Sequence, residues 1–462
     1  MRDIAFACLI GGLLPVCFLR PWVGILVWSW LGYMNPHQFC YGFARSTVPW
    51  AEMVAIATIS GFALTKDRDR FFWCRESVLM VLIWIWFTIT TLFSWYPQDA
   101  WYYLERFSKI LLMTLLTIPL IRDRARMRWL LLVIAGSLGF YGFKAGLFVI
   151  ATGGNYMVFG APGTSFVSTN NAIALALNMC LPLLWYLRKD ETRRWLRPVF
   201  LAAFWLSALA VPFTYSRGGV LGLCCVFAVL FARSKQRYVL LPLAGIVLVV
   251  LFMYAPEKWV SRMHTLETYE QDASAMARLT AWKVGFEIAN DRPLVGGGFW
   301  VFNHAETFRK YAPEYDHFID AHSIYFNVLG EHGYVGFGLF ISLLLCSLGS
   351  LFSMYRVGRQ YEELSWVSDY SHMLGSGIVA YLVTGAFISV AYFDLAWHFF
   401  ALVIVIKGLT RTERQALAAL RTEGAALVPA RARVGKTLPI PTPAGYRTYG
   451  PNAVPAGSAK RA

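Results

Sequence analysis

Apolar runs near residues 4–20, 22–34, 48–65, 77–95, 107–121, 129–151, 171–187, 198–214, 217–232, 237–254, 324–354, 372–391 and 393–409 set the organisation of this chain. They are mostly about 17 to 23 residues long, the length at which a helix crosses a hydrocarbon layer of about 30 Å. Strand-like alternation of apolar and polar positions is absent, so no β-barrel is predicted. The first two runs are separated by Pro21 and read either as a hairpin or as one broken helix, which leaves 12 or 13 spans. Residues 4–20 have the length of a signal peptide, but a second apolar run follows where a polar mature start is expected, so they are read as retained.

One long polar segment, 255–323, interrupts the series. Within it QDASAMARLTAWKVGFEIAN reads as an amphipathic helix with Met276, Leu279, Trp282 and Phe286 as its apolar stripe. Asp291, Pro293 and the run Gly296-Gly297-Gly298 end it. The expected organisation is a transmembrane helical region over 1–254, a loop domain over 255–323, a second transmembrane region over 324–410 and a basic, proline-rich tail over 411–462. The tail cannot bury a core and is expected to be disordered beyond about residue 425.

Composition agrees: 57% of the residues are hydrophobic, more than the few charges of a soluble protein could cover. The net charge of +15 does not point to nucleic acid, because the positive residues occupy alternate loops. Loops 66–76, 122–128, 188–197, 233–237 and 355–370 hold eighteen Lys and Arg, whereas 35–47, 96–106 and 152–170 hold only Arg45 and Arg106. The positive-inside rule puts the first set and the carboxy terminus in the cytoplasm, and 255–323 on the outer face. The outer segment is itself slightly acidic, with ten Asp and Glu against seven Lys and Arg. The eight cysteines include no C-x-x-C pair and none falls in 255–323, so neither a disulfide framework nor a zinc site is indicated.

Four residues carry the candidate chemistry. His322, in Asp320-Ala321-His322-Ser323, stands where polar loop meets apolar helix, and an imidazole near pH 7 can take a proton from a hydroxyl. It reads equally as a solvated residue at the helix start, with Asp320 or Ser323 as cap. Arg278 lies on the outer, acidic segment, where the positive-inside rule does not explain it; the other reading is an exposed ion pair with Glu270 or Asp272. Arg217, in Tyr215-Ser216-Arg217-Gly218-Gly219, has the fork that suits bidentate phosphate binding, or it snorkels at the interface. Lys144 lies inside a span, facing either a cavity or the interface. Asp394 and His398 share a helical face, which packing or a local hydrogen bond explains. The glycine run lacks the strand and lysine of a P-loop, and His304, His317 and His322 have no zinc spacing.

An outer-face site has no ATP or nucleotide sugar, so a synthetic reaction there needs a donor already activated on a lipid. Arginines would neutralise a departing diphosphate while a histidine deprotonates the acceptor hydroxyl. The order of TYSRGG, AMARLTAW, PLVGGGF and AHSIYFNVLGEHGYVG resembles the O-antigen ligase and polymerase superfamily of bacterial envelopes. The stretches RPWVGILVWSWLGYMNPHQFCYGFA, GFYGFKAGLF and ATGGNYMVFGAPGTSF resemble, more narrowly, the O-glycosylation ligases associated with exosortase A systems.

The resemblance implies a helical GT-C-type membrane fold in the bacterial inner membrane and transfer of glycan from undecaprenyl diphosphate without metal, nucleotide or other cofactor. The acceptor would be a protein Ser or Thr, or another hydroxyl, on the periplasmic side. It also implies that His322, Arg278 and Arg217 hold the family's functional positions; Lys144 lies in a matching stretch without an assigned role. The chain departs from the family pattern at Ser168-Thr169-Asn170-Asn171, where an acidic residue is expected before the asparagines. A polymerase acting on a second lipid-linked repeat would share the donor half of the site, and a transporter or non-catalytic subunit is the alternative without chemistry.

Overall fold

The computed structural model describes residues 1–163, 166–232, 238, 245, 273–315 and 317–433. The run 237–254 apart from Tyr238 and Gly245, all of 255–272 including Glu270 and Asp272, and the PIPTP stretch at 439–443 lie outside the described residues. Helices of seven or more residues follow in the order α1 (Arg2–Leu19), α2 (Pro21–Met34), α3 (Trp50–Leu64), α4 (Arg75–Leu92), α5 (Pro97–Leu120), α6 (Arg124–Thr152) and α7 (Asn170–Asp190). There follow α8 (Leu196–Ala210), α9 (Arg217–Ala232), α10 (Ala273–Asp291), α11 (Ala305–Tyr311), α12 (Ile324–Gln360), α13 (Ser365–Gly385) and α14 (Asp394–Arg433). No strand occurs among the described residues, and six of these helices are long and apolar enough to cross a membrane. The chain is an all-α, multi-pass membrane protein.

The first two runs form a hairpin. Pro21 opens α2 at the position where its missing N–H costs no hydrogen bond, and both helices pack on α3. Gly24 and Gly61 allow this approach: a Cβ on Gly24 would meet Thr58 Oγ1 at 2.0 Å, and one on Gly61 would meet the Phe18 carbonyl at 2.0 Å. At the far end of the chain α14 runs on to Arg433, past both the 409 boundary and the expected onset of disorder near 425.

Residues 1–412 form one compact unit with two chemically different ends. At one, Asp67 accepts from Arg126 at 2.8 Å and pairs with Arg122 at 2.7 Å, joining loops 66–76 and 122–128. Asp190 pairs with Arg124 and Arg128 at 3.0 and 3.1 Å, Glu191 with Arg128 at 2.8 Å, and Lys189 with Asp369 at 2.7 Å. Four arginine-rich loops are thereby stitched together. At the other end the Asp3 carboxylate accepts from the amides of Gly42 and Ala44, the Val158 N–H donates to Phe213 O at 2.9 Å, and the Trp95 N–H donates to Gly297 O at 3.0 Å. The alternation of basic and non-basic loops in the sequence is thus an alternation between the two ends.

The described part of the polar segment, 273–315 and 317–323, has its own core at the second end, built from Ala281, Val284, Ile288, Phe302, Phe308 and Ile319, with Trp95 and Tyr96 packed against it. The predicted helix is there as α10, but its buried face is not the predicted stripe: Met276, Leu279 and Phe286 are 36–47% exposed, while Ala281, Val284 and Ile288 are buried. The reason is close approach. A Cβ on Gly285 would sit 2.9 Å from the Phe302 ring and 3.2 Å from the Phe326 carbonyl, so the small-residue face is the one that fits against α12. Small residues score weakly as hydrophobes, which is why the apolar pattern selects the other side.

Candidate functional site

The middle of α10 meets the start of α12 around residues 321–326. The Trp282 indole N–H donates to the Ala321 carbonyl at 3.0 Å, and its ring stacks on Phe326 at 5.2 Å. His322 follows with φ +47°, a left-handed conformation that costs a non-glycine residue about 1–3 kcal/mol and is concentrated at functional sites. Its N–H donates to Ser389 Oγ at 2.6 Å, fixing it to the connector between α13 and α14. Ser323, not Asp320, caps α12 by accepting from the Tyr325 N–H at 3.3 Å.

Arg278 lies one helical turn before Trp282 and is half-buried, which brings it into the electrostatic environment of His322. Burial holds the His322 imidazole below its ordinary range; Asp320 opposes this and Arg278 reinforces it. His322 is therefore neutral, and able to accept a proton, at pH 7.

Arg217 opens α9 after Tyr215, itself left-handed at φ +56°. This turn is held from several sides: Ser216 Oγ accepts from the Gly219 N–H at 3.1 Å, and Asn170 and Asn178 donate to Thr214 O and Gly219 O at 2.9 and 2.8 Å. Gly218 backs onto Phe387, where an added Cβ would meet the ring at 2.9 Å. Phe387 and Ser389 belong to one connector, so the Arg217 turn and His322 rest on the same few residues.

Lys144 is not brought to this place. It is exposed on α6 among exposed Phe140, Phe143, Leu147 and Phe148, the surroundings of a snorkelling lysine. His398 is buried with both ring nitrogens in use, Nδ1 against Tyr33 OH at 2.8 Å and Nε2 against Thr117 Oγ1 at 3.2 Å, so packing and hydrogen bonding account for it.

Asp320, two residues before His322, and Ser389, which accepts from the His322 N–H, line a cavity together with Tyr103 and Arg106 of α5, Trp300 and Asn303 of the loop, and Glu331. Sequence reading missed Arg106 because 96–106 reads as a loop. These residues are the first turns of α5, and helical spacing sets Tyr103, Arg106 and Phe107 on one face toward the cavity. Glu331 was hidden inside an apolar run.

The cavity floor exists because α12 is broken at Gly333, whose φ of +66° and ψ of −172° are not helical. The break frees carbonyls that the glycine run then satisfies: Gly297 N–H donates to Gly330 O at 2.8 Å and Gly298 N–H to Glu331 O at 2.9 Å, while the Tyr334 N–H turns to Pro293 O at 2.8 Å. The three-glycine run is a backbone clasp on a broken helix. Below it, the buried Glu331 carboxylate accepts from the Trp300 N–H at 2.9 Å and from the Tyr392 hydroxyl, and His332 bridges Tyr392 OH at 2.9 Å and Thr90 Oγ1 at 2.7 Å.

Residues 202–341, which contain Arg217, Arg278, His322 and the broken helix, match the family described as O-Antigen ligase. Residues 1–192 match a family of unknown function (DUF5935). No curated protein matches the chain. The O-antigen ligase family implies a lipid-linked glycan donor in a membrane setting. Over residues 202–341, then, the chain is similar to the O-antigen ligase family, and at that level the match supports a ligase-like glycan transferase.

Proposed function

We propose that this protein transfers a glycan from a polyprenyl diphosphate carrier to a hydroxyl acceptor, at the end of the bundle away from the arginine-rich loops. That end is the periplasmic face in this reading, since the opposite end gathers the basic loops that stay in the cytoplasm. The observation that carries the proposal is His322: neutral at pH 7, strained and anchored, with Arg278 in its electrostatic reach and the Arg217 turn on the same connector.

In the step proposed, the acceptor oxygen forms a bond to the anomeric carbon and its proton passes to the His322 imidazole. The bond from the anomeric carbon to phosphate oxygen breaks, and the electron pair leaves with the diphosphate. Arg217 and Arg278 stabilise that departing charge; such contacts are worth more as charge develops in a water-poor site. The chain's own residues supply base and cations, so no metal or nucleotide is invoked. The resemblance of the amino-terminal stretches supports a protein Ser or Thr acceptor and an exosortase-associated role.

The test is a reconstituted transfer with purified protein, a lipid-linked glycan and candidate acceptors. Single-unit addition to the acceptor, reduced at least about 100-fold by His322→Ala, is expected; general-base contributions are typically 10² to 10⁴. A ladder of lipid-linked chains would replace the ligase by a polymerase, and unimpaired transfer by His322→Ala would sink the assignment of His322.

A further inference from the structure

Arg106 and Tyr103 have no part in the chemistry proposed above, yet they line a cavity with Asp320 and Ser389, the residues around His322. The Arg106 guanidinium lies 5.6 Å from the Phe166 ring and 5.9 Å from the Tyr102 and Tyr103 rings. Among the described residues no hydrogen bond or ion pair ties it down. Tyr103 stacks on Trp300 at 4.0 Å and 16°, so the aromatic wall is pre-formed. The same cavity is lined by Asp320 and Asn303. Glu331, also in the lining, already accepts on both oxygens, from the Trp300 N–H and from the Tyr392 hydroxyl. Its part is to hold the wall.

This combination discriminates between ligand classes. A phosphate or diphosphate would meet the Asp320 carboxylate, a like charge, in the same narrow space. An apolar chain would leave Arg106, Asp320 and Asn303 stripped of water and unpaired, at a cost that excludes it. A pyranose ring suits all of them: its hydroxyls donate to a carboxylate and accept from a guanidinium or amide, and its C–H faces lie against aromatic rings. We infer that the cavity between α5, the 299–303 turn and Asp320 is a saccharide subsite that seats one neutral sugar ring beside His322, with Arg106 and Asp320 as its polar contacts. The inference rests on the glycan-transfer reading and adds what it lacks, a place for the sugar. It also gives a task to the amino-terminal region, since Tyr103 and Arg106 fall within residues 1–192 and outside the ligase domain. The ring belongs either to the donor or to the acceptor; the chemistry is the same.

Saturation-transfer NMR on the full-length protein in nanodiscs tests this with the methyl glycosides of glucose, N-acetylglucosamine and glucuronic acid as probes. The neutral glycosides should receive saturation from the wild type and from His322→Ala. Arg106→Gln and Tyr103→Ala should lose at least three quarters of that signal, with Arg106→Lys recovering part of it. In the transfer assay Arg106→Gln should raise the KM about tenfold or more for one substrate: for the lipid-linked donor if the ring is the donor's, for the acceptor if it is the acceptor's. Absence of saturation with every glycoside, a preference for glucuronate, or unchanged signal and KM in Arg106→Gln would overturn the subsite. Glycoside binding as expected without any transfer by the wild type would leave the subsite standing and remove the transfer reading instead.

Discussion

Two neighbours of opposite charge bear on the His322 imidazole, and in the proposed role this can be read out by pH. Burial holds its imidazole below the ordinary value of about 6.5, so the base form is already present at neutral pH and transfer should fall only as the pH drops through that lowered value. Arg278 disfavours the imidazolium, so in Arg278→Gln the acid limb of kcat/KM moves to higher pH. Asp320 favours it, so in Asp320→Asn the limb moves lower. Residual activity of each variant, followed across pH 4–8, checks the signs; limbs that stay put would show that His322 is not the titrating base. The residues themselves were visible in the sequence, but His322, Arg278 and Arg217 each also had a bland reading there, and it was the resemblance to the O-antigen ligase superfamily that set them apart. Their association was not visible. It depends on Trp282 reaching the Ala321 carbonyl and Ser389 reaching the His322 amide, contacts across 39 and 67 residues of chain.

Among the elements, the broken helix α12 matters most, because it sets the depth of Glu331 and the place where the glycine run docks. Gly333 has a backbone conformation essentially confined to glycine, and a Cβ there would meet the carbonyls of Leu294 and Pro293 at 2.6 and 2.7 Å. Gly333→Ala should therefore cost on the order of 1–3 kcal/mol. It should also loosen the 293–298 clasp, measured as a lowered Tm in detergent and faster proteolysis between Pro293 and Phe318. Gly338→Ala, five residues on with open space around it, is the control and should neither lower the Tm nor speed the proteolysis. Helix existence was legible along most of the chain because apolar runs of that length have one solution in a bilayer. Helix faces were less so: α10 buries Ala281, Val284 and Ile288 because that side fits closely against α12, and pattern alone ranks larger side chains first. The start of α5 was missed for a related reason, since its polar first turns look like loop.

At the scale of the whole molecule, the two ends make a topological prediction. Thr192 is exposed at the arginine-rich end and Phe318 is exposed at the other. In a background freed of reactive native cysteines, Phe318→Cys should react with a membrane-impermeant thiol reagent on intact spheroplasts, and Thr192→Cys only after permeabilisation. The reverse pattern would invert the membrane orientation and put the proposed site in the cytoplasm. The sequence by itself determined the class, the alternation of basic and non-basic loops, and the residues able to do acid–base and phosphate chemistry, because membrane insertion and side-chain chemistry are read from local composition. Only the tertiary structure decided which cations come near which base, that α12 breaks to receive a glycine clasp, and that Arg106 of α5 shares a cavity with Asp320. Each of these depends on contacts between segments far apart in the chain, which hydrophobic period does not encode.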